Sequence, residues 1–295
     1  MHFEYLSDFP AELSGISFQF LLQIFDRELK RRQRNWAVRQ ADFDDAQYLK
    51  EEIGWRVADR VFDLTKFNPL ALDIGCGVGH VAPHMIKENV GTLIQCDISE
   101  AMVEKSKGAD DAEVKIERVV CDEELLEPFT TDQFDLLLSS LSGHWINDLP
   151  RWFRRCHDIL KPDCPFIGAL LAEDSLYELR CSLQLAEVGY PHMLALMYDL
   201  QLMAESHCTF SRSRTVRRDV LIAADAIYRA MYAKDDKYPA TFRVLSFIGW
   251  KPGPTMPKPA KRGSQNVSFK DLGKIIEDPE MIEKLSAKKD DNEKK

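Results

Sequence analysis

The chain lacks the usual devices that staple, anchor or wire a protein. Seven cysteines are scattered through 295 residues without a C-x-x-C pair. Neither a disulfide framework nor a zinc site organises it, and free thiols in a reducing compartment are expected. No apolar run is long enough to span a bilayer; residues 193–204 come nearest, but Asp199 and Gln201 interrupt them. The first ten residues carry Glu4 and Asp8, have no apolar stretch of signal-peptide length, and are too acidic for a good mitochondrial presequence. A basic excess is missing as well. With 39 Lys and Arg against 48 Asp and Glu, the net charge is −9, which argues against a general nucleic-acid binder. The seven histidines are dispersed, so no metal site is expected.

What remains is a globular composition, 45% hydrophobic and 29% charged, long enough for one large domain or two small ones. Residues 1–62 read as a helical segment. Its first helix spans 26–40, with Phe25, Leu29 and Trp36 as the buried side. Its second spans 48–62, with Leu49, Ile53, Val57, Ala58 and Val61 at helical spacing. A turn at Phe67-Asn68-Pro69 leads into alternating strands and helices, which implies a parallel sheet. The strands are expected at 70–74, 92–97, 114–120, 134–139, 164–171 and 242–248, and the intervening helices at 81–87, 100–105 and 149–160. Further helices over 175–186, 193–205 and 219–232 make a helical insertion at about 175–235 within a domain of 63–250. The remainder, 251–295, is a Pro-rich arm followed by a charged tail, expected to be disordered beyond residue 278.

The run Leu70-Ala-Leu-Asp-Ile-Gly-Cys-Gly-Val-Gly-His80 carries the most chemistry. A buried strand ends in Asp73 and breaks into Gly75-x-Gly77-x-Gly79. Glycines there allow a tight turn and leave the backbone amides open to a ligand. Dinucleotide sites use G-x-G-x-x-G; D-x-G-x-G-x-G is the version that receives the amino-acid end of S-adenosylmethionine (AdoMet). Cys76, inside the loop, reads as a small filler and not as a nucleophile.

Other residues fit the same ligand. Asp97, followed by Ile98, ends the second strand about twenty residues past the glycines, where an acidic residue accepts from a ribose diol. A helix N-cap is the alternative for Asp97, with Ser99 the better candidate for that role. Asp122, with Glu123, ends the third strand, where an acceptor for the adenine amino group is needed; a solvated loop acid is the plainer reading. The fourth strand runs into Ser140, Leu141, His144 and Trp145, at the carboxyl edge where ligands of such sheets lie. Trp145 offers a π face to a sulfonium or simply packs the loop. His144 is a weak candidate for a general base, its alternative being a hydrogen bonder behind the site. The basic clusters Lys30-Arg31-Arg32-Gln33-Arg34 and Arg212, Arg214, Arg217, Arg218 suit acidic partners or lipid headgroups, but read first as solvated helix faces.

With these motifs and Leu160-Lys161-Pro162-Asp163 in hand, the chain resembles the class I AdoMet-dependent methyltransferases. A closer resemblance covers most of its length. Ile24-Phe-Asp-Arg-Glu-Leu-Lys-Arg, Asn35-Trp-Ala, Tyr48-Leu-Lys-Glu-Glu, Ala58-Asp-Arg, Ser139-Ser-Leu-Ser and His144-Trp-x-Asn-Asp-Leu-Pro150 are similar to the methyltransferase-like assembly factors of mitochondrial respiratory complex I. The stretch from Leu176 to Glu187, Pro239-Ala-Thr, Ile248-Gly-Trp-Lys251 and Arg262-Gly-Ser extend the match. The resemblance implies a doubly wound, Rossmann-like α/β sheet that binds AdoMet. It further implies hydroxylation of an arginine in a complex I subunit, on the matrix side of the inner mitochondrial membrane, with peripheral membrane association. An ordinary methyltransferase acting on a small acyl or quinone-like substrate, or a non-catalytic scaffold, are the competing functions. Two departures stand out. The family's Lys-Pro-Asp-Gly turn reads Lys161-Pro162-Asp163-Cys164, and after Glu187 the chain passes through Val188-Gly189 straight to Tyr190-Pro191. The sheet should therefore lack its sixth strand, leaving a new edge and a weaker fold or a missing substrate wall.

Overall fold

The computed structural model describes residues 23–172, 175–176, 192–212, 215–233, 235 and 237–256. The chain divides into two compact units, Met1–Pro254 and Thr255–Lys295, and every element below belongs to the first. The charged tail and most of the helix expected at 175–186 lie outside the described residues.

Six strands form one sheet among the described residues: β1 (Asn68–Ile74), β2 (Val90–Asp97), β3 (Lys115–Val120), β4 (Leu136–Ser140), β5 (Pro165–Leu171) and β6 (Val244–Trp250). Their order is β3-β2-β1-β4-β5-β6. The first five run parallel, and β6 lies antiparallel to β5 in a register from Pro165 opposite Trp250 to Leu171 opposite Val244. Strand order reverses between β1 and β4, so a crevice opens beyond their carboxyl ends. Asp73 and Ser140 stand at its lip.

Alternation along the strands divides the core in two. Ala71, Leu93, Leu136, Leu138 and Ile167 face α2 (Tyr48–Phe62), which supplies Ile53, Val57 and Val61. Leu72, Ile74, Ile94, Leu137 and Phe166 face α4 (Leu149–Ile159), which supplies Trp152, Cys156 and Ile159. Because both faces are covered, β1, β2 and β4 read as nearly continuous apolar runs. Asp148 caps α4 by accepting from the Arg151 amide at 2.9 Å, and the buried Trp152 donates from Nε1 to the Glu123 carbonyl at 2.8 Å. The remaining helices are α1 (Arg27–Ala37), α3 (Glu100–Lys105), α5 (Met193–Leu202) and α6 (Arg218–Tyr232). Beyond β6 no further strand pairs among the described residues, and Leu245, Ile248 and Trp250 are exposed on it.

Three expectations need correction. The helix expected at 81–87 is a single 3-10 turn, Ala82–His84, followed by extended Met85. Pro83 removes an amide donor there, and β2 begins at Val90, two residues earlier than its apolar pattern suggested, leaving no length for a helix. The turn expected at Phe67-Asn68-Pro69 is already strand from Asn68, whose amide donates to the Asn89 carbonyl at 2.9 Å. The third correction concerns α1. Its buried residues are Lys30, Arg34 and Ala37, whereas Trp36 is 44% exposed and Phe25 and Leu29 are only half-buried.

Helix α2 meets the stretch after the glycine loop at Gly54. A Cβ there would lie 2.6 Å from the His80 carbonyl oxygen and 2.8 Å from the His80 Cβ. Gly54→Ala should therefore destabilise the fold by about 1–3 kcal/mol, although alanine favours a helix interior by about 1 kcal/mol. Urea unfolding decides the sign; a stabilised variant would contradict this packing.

Candidate functional site

The glycine loop takes three left-handed residues in succession, Gly75, Gly77 and Gly79, with φ of +70°, +55° and +78°. At Gly79 the need for glycine is also steric, since a Cβ would lie 2.5 Å from the Gln95 side chain and 2.7 Å from the Lys107 carbonyl. At Gly77 a Cβ would meet nothing, so the loop's middle faces open space. The amides of Gly75 and Cys76 both donate to the Cys96 carbonyl at 2.9 Å, and that of Gly77 donates to Asp97 Oδ2 at 3.0 Å. The corner is thus tied to the end of β2. Burial raises the Cys76 thiol well above its ordinary range, so it stays a neutral filler.

Asp97 is fully buried and accepts at both oxygens, Oδ2 from Gly77 as above. Oδ1 accepts from the Ser99 amide at 2.9 Å and from Arg34 Nη1 at 3.0 Å. Ser99, not Asp97, caps α3, its Oγ accepting from the Met102 amide at 3.2 Å. Ile98 lies half-buried between them. Glu123 is equally buried, and its Oε1 receives Arg34 Nη1 at 2.6 Å and faces Arg27 Nη2 at 3.0 Å. The paired guanidiniums outweigh desolvation and hold this carboxyl at about 2. Asp122 Oδ1 receives Arg27 Nη2 at 2.8 Å. Ser142 Oγ completes the cluster, 3.3 Å from both Arg34 Nη2 and Glu123 Oε1.

The cations all come from one face of α1. Arg27, Lys30 and Arg34 are three and four residues apart, so they project together. This is where the basic cluster departs from a solvated face: Lys30 and Arg34 point inward, and only Arg31 and Arg32 remain toward solvent. Lys30 Nζ donates to the carbonyls of Ala204 and Ser206 at 2.8 and 3.0 Å and lies 3.3 Å from the Trp145 ring centroid. Burial, opposed by Glu205, brings its ammonium down to about 7. Of the second cluster, Arg212 reaches Asp26 at 3.3 Å and Arg217 pairs with Asp219. Arg218 is exposed, and Arg214 lies outside the described residues.

Sequence reasoning missed Glu205. Its buried carboxylate sits 3.0 Å from His144 Nε2, accepts from Trp145 Nε1 at 2.8 Å and lies 3.3 Å from Lys50 Nζ. The Lys50 ammonium and the hydrogen bond with His144 hold it well below the usual carboxylate range despite burial. The other His144 nitrogen faces the Leu171 amide at 3.5 Å. His144 and Trp145 therefore both turn toward Glu205. Nothing local marked Glu205, because it belongs to a loop more than fifty residues away in sequence.

Two cavities result. Gly75, Cys76, Gly77, Asp97, Ser140 and Leu141 line a space of about 20 Å³ together with Arg34, Lys50 and His80, room for about one water. Asp122 instead lines a cavity of about 420 Å³ with Asp26, Glu28, Glu124 and Asp148, and with Arg27 and Arg151. The ion-pair chain Arg27–Glu123–Arg34 runs between the two. Leu141 holds a left-handed φ of +49° where the chain leaves β4, a conformation that costs energy in a non-glycine residue. Around the smaller cavity Asp73, His80 and Ser140 have side-chain polar atoms with no hydrogen-bond partner among the described residues. Burial, reinforced by Asp97, raises the Asp73 carboxyl to about 7, and burial drops His80 to about 3. Among the described residues no three metal-ligating side chains converge.

The sheet order, glycine corner and acid-tipped second strand define a class I methyltransferase-type protein. A methyltransferase-domain family model matches residues 72–167. The zebrafish (Danio rerio) protein named arginine-hydroxylase NDUFAF5, mitochondrial, is 46% identical over 295 residues, covering 86% of this chain and 91% of its own. The human protein of that name is 45% identical, covering 86% and 84%. A malonyl-[acyl-carrier protein] O-methyltransferase of Methylovorus sp. is 25% identical over 71% of this chain and 84% of its own. A Haloferax volcanii complex of the Trm112 methyltransferase activator with a putative methyltransferase superposes with a TM-score of 0.46 at 16% identity, over 75% of this chain and 98% of that one. The chain belongs to the arginine-hydroxylase NDUFAF5 family.

The unpaired Asp73 gives a pH signature. Its carboxyl rises from 3.8 to about 7 on folding, so its contribution to stability is complete below the unfolded value and is lost as pH rises through about 7. Asp73→Asn removes this loss. The variant should gain on the wild type by about 2–4 kcal/mol between roughly pH 4 and pH 8, read by urea unfolding at each pH. A difference that does not change with pH would contradict an unpaired buried carboxylate.

Proposed function

We propose that this chain is an AdoMet-binding enzyme that hydroxylates an arginine of a complex I subunit during assembly of the complex. It works in mitochondria, on the matrix side of the inner membrane, with peripheral membrane association. The observation that carries this reading is 46% identity over nearly the whole length of a relative named arginine-hydroxylase, in a chain that retains the whole glycine corner. The O-methyltransferase likeness is far weaker, at 25%, and makes methyl transfer to a small acyl or quinone-like substrate the second reading.

The corner suits AdoMet chemically. Asp97 would accept from the ribose diol, the loop around Gly77 would admit the ligand's backbone-facing side, and Asp73 and Ser140 offer polar atoms that lack partners among the described residues. When bound, AdoMet supplies a cationic sulfonium bearing a transferable methyl group. Lys50 and His80 line the same space. Next to it, the larger cavity presents five carboxylates and two guanidiniums, so a substrate arginine would find counter-charge there. Asp122, at that cavity, would face either the adenine amino group or the substrate. His144, steadied by Glu205, would fix the loop between these regions.

The test is complementation of cells lacking their own family member, with mass spectrometry of arginine-bearing complex I peptides. The full chain should add one oxygen atom to an arginine and restore assembly, and Asp97→Ala should add none. Gain of a methylene would establish the methyltransferase reading instead. Restored assembly with an unmodified peptide would establish a scaffold.

A further inference from the structure

The cofactor carboxylate is already taken. Arg34 Nη1 sits 3.0 Å from Asp97 Oδ1 and 2.6 Å from Glu123 Oε1, and Nη2 sits 3.3 Å from Ser142 Oγ. Its side chain is 7% exposed, and the space left at the glycine corner is about 20 Å³. A ribose diol needs the same Asp97 oxygens that Arg34, Ser99 and Gly77 now share. Meanwhile Asp73, at the end of β1, and His80, which lines that space, are both more than nine-tenths buried and have polar atoms with no hydrogen-bond partner among the described residues. A site closed over unsatisfied polar groups is a site held in a conformation other than its loaded one.

We propose that α1 is a latch on the cofactor site, with Arg34 as its bolt, so that AdoMet enters by displacing Arg34 from Asp97 and lifting α1. This rests on the cofactor reading above. Charge makes the exchange feasible, because AdoMet carries a net positive charge and would replace one cation beside the buried carboxylates with another. Arg27 would keep Glu123 and Asp122 paired while Arg34 leaves. The helix is anchored at its two ends and, through Lys30, in its middle. Its start is held through Asn147, whose Oδ1 accepts from the Ile24 and Phe25 amides at 2.8 Å each, and through the Asp26 amide on the Cys208 carbonyl at 2.8 Å. Its far end is held over the corner by Arg34 and by Asn35, which reaches Ser99 and Glu100. Cofactor binding and the exposure of α1's cationic face are therefore coupled, each favouring the other.

Calorimetric titration of the full chain with AdoMet, together with amide hydrogen exchange over residues 27–37, tests this. AdoMet should speed exchange in α1 of the wild type. Arg34→Gln should bind AdoMet about ten-fold more tightly, since the competent state no longer has to be selected, and its α1 should exchange fast without ligand. Arg34→Lys, which keeps the charge but not the fork, should fall between them. If AdoMet binds the wild type but slows α1 exchange or leaves it unchanged, or if Arg34→Gln binds more weakly, the latch is wrong and the cofactor reading stands. If neither wild type nor variants bind AdoMet, the cofactor reading fails and the latch with it. The wild-type exchange result decides the matter even if the glutamine variant does not fold.

Discussion

One helix face meets one set of buried acids, and the rest of the site follows from that meeting. Arg27 and Arg34 reach from α1 to Asp97, Asp122 and Glu123 at the ends of β2 and β3, while Lys30 donates to the carbonyls of Ala204 and Ser206 after α5. Burying so many charges is costly, and such clusters seldom add net stability over an apolar core. Their value lies in register: a guanidinium that must reach two carboxylates and a hydroxyl permits one position of the helix over the sheet. Removing any member leaves its partners charged and dry.

The stretch His144-Trp-x-Asn-Asp-Leu-Pro150 becomes intelligible against this clamp. His144 and Trp145 hold Glu205, Asn147 receives the chain entering α1, and Asp148 caps α4. Four side chains of one loop thereby fasten three separate elements above the carboxyl ends of β4 and β5. An ordinary methyl transfer demands only alignment and exclusion of water.

Much of the sheet could be read from the chain, because parallel strands covered on both faces must be apolar runs and the glycine turn between β1 and β2 leaves few alternatives. The place of Asp97 at the end of β2 was legible for the same reason. What could not be read was the inward face of α1. Periodicity looks for apolar residues on the buried side, and it selected Phe25, Leu29 and Trp36. The true inward stripe is cationic, and its justification lies in acids distant in sequence. The helix after the glycine loop failed differently: its apolar residues Val81, Ala82 and Met85 are buried as expected, but Pro83 and the early start of β2 shorten the connection to a turn. Glu205 carried no local signal at all.

The central claim is that Arg34 and Asp97 act as one unit that sets α1 over the glycine corner. A double-mutant cycle of Arg34→Gln and Asp97→Asn, read by urea unfolding of the full chain, measures that coupling most directly. The account predicts a coupling of about 2 kcal/mol or more, with the double variant more stable than the two single losses summed, as for a buried charge pair. Additivity within about 0.5 kcal/mol would mean that the two residues do not depend on each other, and the clamp would have to be abandoned.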